Sequence, residues 1–149
     1  MNKYTALKNR IKKNEGFRLS VYRDSLGFNT IGYGHLIKKN EKHFFKNKFK
    51  KTELLKVFNK DFENALQGYE GFYKNEKHNK NIKEVLIEMI FQLGIKKQIK
   101  FIKMNHYIKK NLIFMAALEM KKSLWYKQTP KRVDLLIKIL LIKKYEKKR

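Results

Sequence analysis

Glu15 and Asp24 lie at the two ends of a short segment, EGFRLSVYRD, and local sequence puts them in unlike surroundings. Glu15 falls at the C-terminal end of a helix predicted from Tyr4, Leu7 and Ile11, apolar positions stepping by three and four, with Gly16 placed to cap it. The negative end of that helix dipole disfavours ionisation and helps keep Glu15 protonated near neutral pH. Asp24 opens the tetrapeptide Asp24-Ser25-Leu26-Gly27, with Asp first and Gly fourth as a type I turn prefers, and at an exposed turn it should stay ionised. One carboxyl held neutral and another left charged is the division that acid and base catalysis requires. Each residue also has a plain reading: Asp24 as a turn former, Glu15 as a solvated helix-end charge, Thr30 as an ordinary strand residue.

The elements that must position these residues follow from periodicity. Leu19 and Val21 alternate with polar residues toward Asp24, and a return strand from Phe28 to Tyr33 completes a hairpin. Two strands do not stand alone, so the hairpin, with or without a third strand, must lean on helices. Lys38 to Lys51 reads as a connector. From Thr52, a plausible N-cap, Leu54, Leu55, Phe58, Phe62, Ala65, Leu66 and Tyr69 predict a long helix, after which Gly68 and Gly71 should loosen the chain. Ile82 to Leu93, closed by Gly94, is apolar over a wide arc and is the expected central helix. Helical patterns recur over Ile99 to Tyr107 and Leu112 to Lys122. Trp125 to Pro130 breaks the rhythm, and Thr129 and Pro130 should start a last helix running to about Tyr145.

Composition limits the function classes. At 149 residues the chain has the size of one domain. Lys plus Arg number 37 against 13 Asp plus Glu, a net charge of +24, so a physiological partner should be polyanionic. The cations are spread along the whole chain and no nucleic-acid recognition motif is visible, which argues against a specific nucleic-acid partner. There is no Cys, and the four His have no ligand spacing, so no metal and no cofactor is expected. No signal peptide or membrane-spanning run is visible.

The segment from Glu15 to His35, EGFRLSVYRDSLGFNTIGYGH, closely resembles the catalytic signature of phage-type lysozymes, glycoside hydrolase family 24. The resemblance continues in order through FNKDFENALQG (58–68), MIFQLG (89–94) and SLWYKQTPKR (123–132). It implies an α+β, lysozyme-like fold in a single domain, 1–149. A small β-containing lobe, about 15–51, would face a helical lobe of 1–14 and 70–149 across a cleft, with 52–69 as the connecting helix. It also implies a muramidase or endolysin that hydrolyses the β-1,4 bond between N-acetylmuramic acid and N-acetylglucosamine in bacterial peptidoglycan. Glu15 would be the general acid, Asp24 the carboxylate that activates water or stabilises charge, and Thr30 the hydroxyl that positions the water. Such a pair is what glycosidic cleavage needs.

By the same resemblance, Leu36, Phe91 and Gln92 would contact saccharide, His35 and Asp61 would form an ion pair between the lobes, and Arg132 would approach Glu15. Departures from the family pattern touch the substrate side. The chain between His35 and Asp61 is shortened, Met104 and Glu119 stand where polar substrate contacts are usual, and Glu88 replaces a shorter polar residue. The resemblance further implies a monomer made in a host cytoplasm and released onto the wall with a holin's help, with a virion-borne module as the alternative. The cationic surface would favour contact with an anionic cell envelope. Val133 to Tyr145, apolar and flanked by Lys, is expected as a mostly buried helix, with membrane disruption as its second reading.

Overall fold

Tyr4, Leu7 and Ile11 do lie along a helix: in the computed structural model, which describes residues 3–142, α1 spans Thr5–Glu15 and buries Leu7 and Ile11 completely. Burying two such side chains contributes about 1.5–3 kcal/mol each relative to exposure. The chain then turns at Gly16, whose amide donates to the Lys12 carbonyl at 3.0 Å, into a three-stranded antiparallel sheet. Its strands are β1 (Arg18–Arg23), β2 (Asn29–Gly32) and β3 (His35–Leu36), in that order across the sheet. Tyr22 is paired with Thr30 and Ile31 with His35, and an irregularity interrupts β1 between Arg18 and Tyr22.

The stretch expected as a connector contains a short helix, α2 (His43–Lys46). The reason is Phe44, which with Ile31 and Leu54 forms a small core flanked by Phe17, Val21, Ile37, Phe49 and Val57. A long helix, α3, follows at Lys51–Phe72. It begins before Thr52, and the Lys50 amide is taken by the Glu53 carboxylate at 2.6 Å, so Thr52 is not the cap. Gly68 and Gly71 lie inside the helix and do not end it. A Cβ on Gly68 would stand 3.3 Å from Ile95 Cβ and 3.5 Å from Ile90 Cγ2, so its bare surface admits two apolar neighbours that hold the helix together there.

The remaining helices are α4 (Lys80–Leu93), α5 (Ile95–Ile99), α6 (Ile102–Lys109), α7 (Ile113–Lys122), α8 (Leu124–Gln128) and α9 (Pro130–Leu140). Asn79 caps α4 by accepting the Ile82 amide at 2.9 Å, and every residue from Glu84 to Ile90 is buried, as a wide apolar arc predicts. The helical pattern over 99–107 is two helices, because the chain breaks between Ile99 and Ile102. Trp125 to Gln128 is a helical turn and not a simple interruption: Ser123 caps it by accepting the Tyr126 amide at 3.1 Å. Thr129 makes no capping bond to α9, while Pro130 does occupy its first turn. The helix ends at Leu140, short of the expected Tyr145, with Leu141 as its cap, and residues from 143 on lie outside the described ones. No helix among the described residues is long and apolar enough to cross a membrane.

The architecture is thus α+β, mostly helical with one small sheet. It forms two compact units, Met1–Leu66 and Gln67–Arg149, and α3 belongs to both. The lobes expected from sequence placed 1–14 with the second unit. Here α1 falls in the first unit, where the Tyr4 ring lies 5.7 Å from Phe62 and Lys12 Nζ 5.2 Å from the Phe58 ring.

Candidate active site

Glu15 is the last residue of α1 and is half-buried. Its carboxylate lies against the α-carbon of Gly34, just before β3. Asp24 follows β1 and is also half-buried, not an exposed turn residue. Its turn carries the expected backbone bond, Gly27 N–H to the Asp24 carbonyl at 2.9 Å. The side chain is fixed as well: Oδ1 accepts the amides of Leu26 and Phe28, each at 2.9 Å.

Phe28 supplies the link to Thr30. Its carbonyl accepts both the Asp24 amide and the Thr30 hydroxyl, each at 2.9 Å, while its own amide holds Asp24 Oδ1. Thr30 is 3 % exposed, so its hydroxyl is deeply set with its proton directed to Phe28. The hydroxyl oxygen keeps lone pairs with which it can accept a further hydrogen bond. Asp24 and Thr30 are therefore oriented by one residue's main chain.

Tyr22, the partner of Thr30 in the sheet, sits near both carboxylates. Burial raises its phenol pKa, the charges of Glu15 and Asp24 raise it further, and Arg18, stacked 4.8 Å over its ring, pulls it down. Sequence reasoning passed over Tyr22. Strand alternation counted back from Asp24 would have put it on the Asp24 side.

His35 and Asp61 are brought together, with His35 Nδ1 2.7 Å from Asp61 Oδ2, and both belong to the first unit. A second carboxylate completes the arrangement: His35 Nε2 lies 2.9 Å from Glu41 Oε2, which also accepts the Lys38 amide at 2.9 Å. Burial by itself would lower the His35 pKa. The hydrogen bonds and charges of Asp61, then Glu41, outweigh it and raise the value. For Glu41, burial favours the neutral acid, but the Lys38 amide and His35 prevail and lower its pKa. Nothing in the Lys-rich sequence around Glu41 marks it for this role, since only the path of the chain after β3 returns it to His35.

Of the expected saccharide contacts, Leu36 is in β3 and 51 % exposed. Phe91 and Gln92 are half-buried near the end of α4. Gln92 is braced at both ends: its Nε2 donates to Thr129 Oγ1 at 3.2 Å and its Oε1 accepts Trp125 Nε1 at 2.9 Å. Thr129 in turn donates to the Trp125 carbonyl at 3.3 Å. Arg132, in the first turn of α9, pairs with Glu88, Nη2 to Oε1 at 3.4 Å, and the Glu88 side chain is wholly buried. The Glu88 that departs from the family pattern is thus a counter-ion inside the second unit. Met104 is a core residue, 1 % exposed, whereas Glu119 is partly exposed beside Lys122 at 3.6 Å. Both line a cavity of about 280 Å³. No group of three or more potential ligand side chains is gathered to hold a metal ion among the described residues.

Comparison with known proteins bears on the whole chain. The model of the phage lysozyme family matches residues 12–138. Two proteins of Dictyostelium discoideum are similar over nearly their full length: probable T4-type lysozyme 2, 33% identical over 91% of this chain and 93% of its own, and probable T4-type lysozyme 1, 30% identical over 91% and 94%. With a family match over most of its length, on a mixed fold that puts Glu15, Asp24 and Thr30 in one unit, this chain belongs to the phage lysozyme family.

Proposed function

We propose that this chain is a muramidase, hydrolysing the β-1,4 bond between N-acetylmuramic acid and N-acetylglucosamine in bacterial peptidoglycan. Family membership supports the lysozyme activity. The observation that carries the residue assignment is the shared main-chain support of Asp24 and Thr30 at Phe28. With Oδ1 held by two amides, Asp24 presents Oδ2 to a water, and Thr30, its own proton donated to Phe28, accepts a hydrogen bond from the same water. Glu15 gives its proton to the leaving glycosidic oxygen. The water's oxygen bonds to the anomeric carbon and its proton passes to Asp24, so charge and protons balance. Leu36, Phe91 and Gln92 contact saccharide in this reading, and Arg132, held by Glu88, is a supporting cation of the second unit.

The substrate is anionic cell wall, to which a net charge of +24 draws the enzyme. The finer setting we propose is that of an endolysin released onto the wall through a holin. Expression inside bacteria should then lyse them only when a holin is co-expressed.

The deciding experiment digests purified peptidoglycan and identifies the reducing-end sugar. N-acetylmuramic acid is expected; a 1,6-anhydro product would make the chain a transglycosylase. Glu15→Gln, run in parallel, should lose activity by about 10²–10⁴-fold.

A further inference from the structure

Gly34 is packed against the proposed acid in a way that no other glycine of the chain shares with any group. A Cβ built there would overlap Oε2 of Glu15 and stand 2.8 Å from its Cδ and 3.2 Å from its Cγ. At Gly32 and Gly68 a Cβ would meet apolar carbons no closer than 3.3 Å, and at Gly16, Gly27, Gly71 and Gly94 it would meet nothing. The atoms in the way at Gly34 are the far end of one side chain and not backbone. A substitution there is therefore relieved most cheaply by swinging the Glu15 carboxylate aside.

We propose that Gly34 is a positioning residue for the hydrolysis: its bare α-carbon forms the seat of the Glu15 carboxylate, and any side chain at this position displaces the proton donor. The proposal rests on Glu15 being the acid. Glu15 comes from the end of a helix and so arrives with its backbone fixed by α1, while its carboxylate is reached through three rotatable side-chain bonds. Packing against Gly34 sets the position of that carboxylate on one side. Misplacing a catalytic group by about 1 Å costs on the order of 100-fold in rate.

Two glycines separate the seat from ordinary backbone strain. Gly34 has φ +75° and Gly94 has φ +82°, so an alanine is strained at either, but only at Gly34 does its Cβ meet the carboxylate. Gly34→Ala should lower kcat about 100-fold per folded molecule and shift the alkaline limb of the pH–rate profile, which follows loss of the acid's proton. Gly94→Ala should lower Tm and leave kcat and the pH profile in place. Unchanged kcat and pH limb in Gly34→Ala would overturn the proposal.

Stability gives a second readout that holds even if Gly34→Ala folds poorly. The Tm loss caused by Gly34→Ala should shrink when Glu15 is truncated to Ala, whereas Gly94→Ala should cost the same in either background. An equal loss with and without the Glu15 side chain, or failure to fold in both, would place the cost in the backbone and overturn the seat. Full activity in Glu15→Gln would instead remove the acid assignment, while the stability cycle would still report whether residue 34 packs on residue 15.

Discussion

In the first unit Asp24 and Thr30 are held by main chain, whereas in the second Gln92 and Arg132 are held largely by side chains. Asp24 and Thr30 are tied to backbone atoms of Leu26 and Phe28. Gln92, Trp125 and Thr129 are braced largely by one another, and Arg132 by Glu88. A main-chain support survives a change in the residue it supports, because the amides stay where the fold puts them. A side-chain support disappears with either partner. The first unit should therefore separate rate from stability, and the second should lose stability first.

The sharpest break of this comparison is Asp24→Asn. An amide oxygen can still accept the Leu26 and Phe28 N–H groups, so Tm should move little while kcat falls about 10²–10⁴-fold. A Tm loss comparable to that of the second-unit variants would erase the contrast. Next comes Glu88→Ala, which removes a wholly buried carboxylate from beside the Arg132 guanidinium and should cost about 3–5 kcal/mol in urea unfolding. Glu88→Ala combined with Arg132→Met should regain part of it. No regain would show that the pair does not act as a unit.

Asp61→Asn tests a place where the first unit does rely on side chains, and should cost about 1.5–3 kcal/mol. It should lower stability more than specific activity, and equal losses would count against a structural role. The pH dependence has a definite sign. Because the His35 pKa is raised in the fold, its contribution is full below the unfolded value of about 6.5 and is lost as pH rises through the raised value. The lowered Glu41 pKa works the other way: its contribution is present above its ordinary value and is lost as pH falls through the lowered one. Melting curves of Asp61→Asn and the parent should therefore converge at alkaline pH. The smallest effect is expected from Thr129→Val, about 1 kcal/mol, with a change in Trp125 fluorescence as its hydroxyl contacts are lost. Unaltered fluorescence and stability would mean that Gln92 needs no brace.

Much of this was legible in advance where a residue's setting is local. The helix through Leu7 and Ile11, its end at Glu15, the turn at Asp24 and the long apolar helix after Thr52 all follow from spacing. What escaped depends on chain path. Glu41 meets His35 only because the segment after β3 folds back, and Gly34 meets Glu15 only because the hairpin returns beside the end of α1. Thr129 departs from expectation for a different reason: its hydroxyl, suited to a cap, is used by Gln92 and Trp125. Gly68 and Gly71 suggested a break, but packing of Ile90 and Ile95 on Gly68 overrides local propensity.

The role of Phe28 has a practical consequence. It serves Asp24 and Thr30 with its amide and carbonyl alone, and the residue is 54 % exposed. The position is thus one where a cysteine-linked fluorophore or spin label can be attached beside the proposed reacting centre, on a chain with no competing thiol, so that substrate arrival is observed without altering the side chains of Asp24 and Thr30.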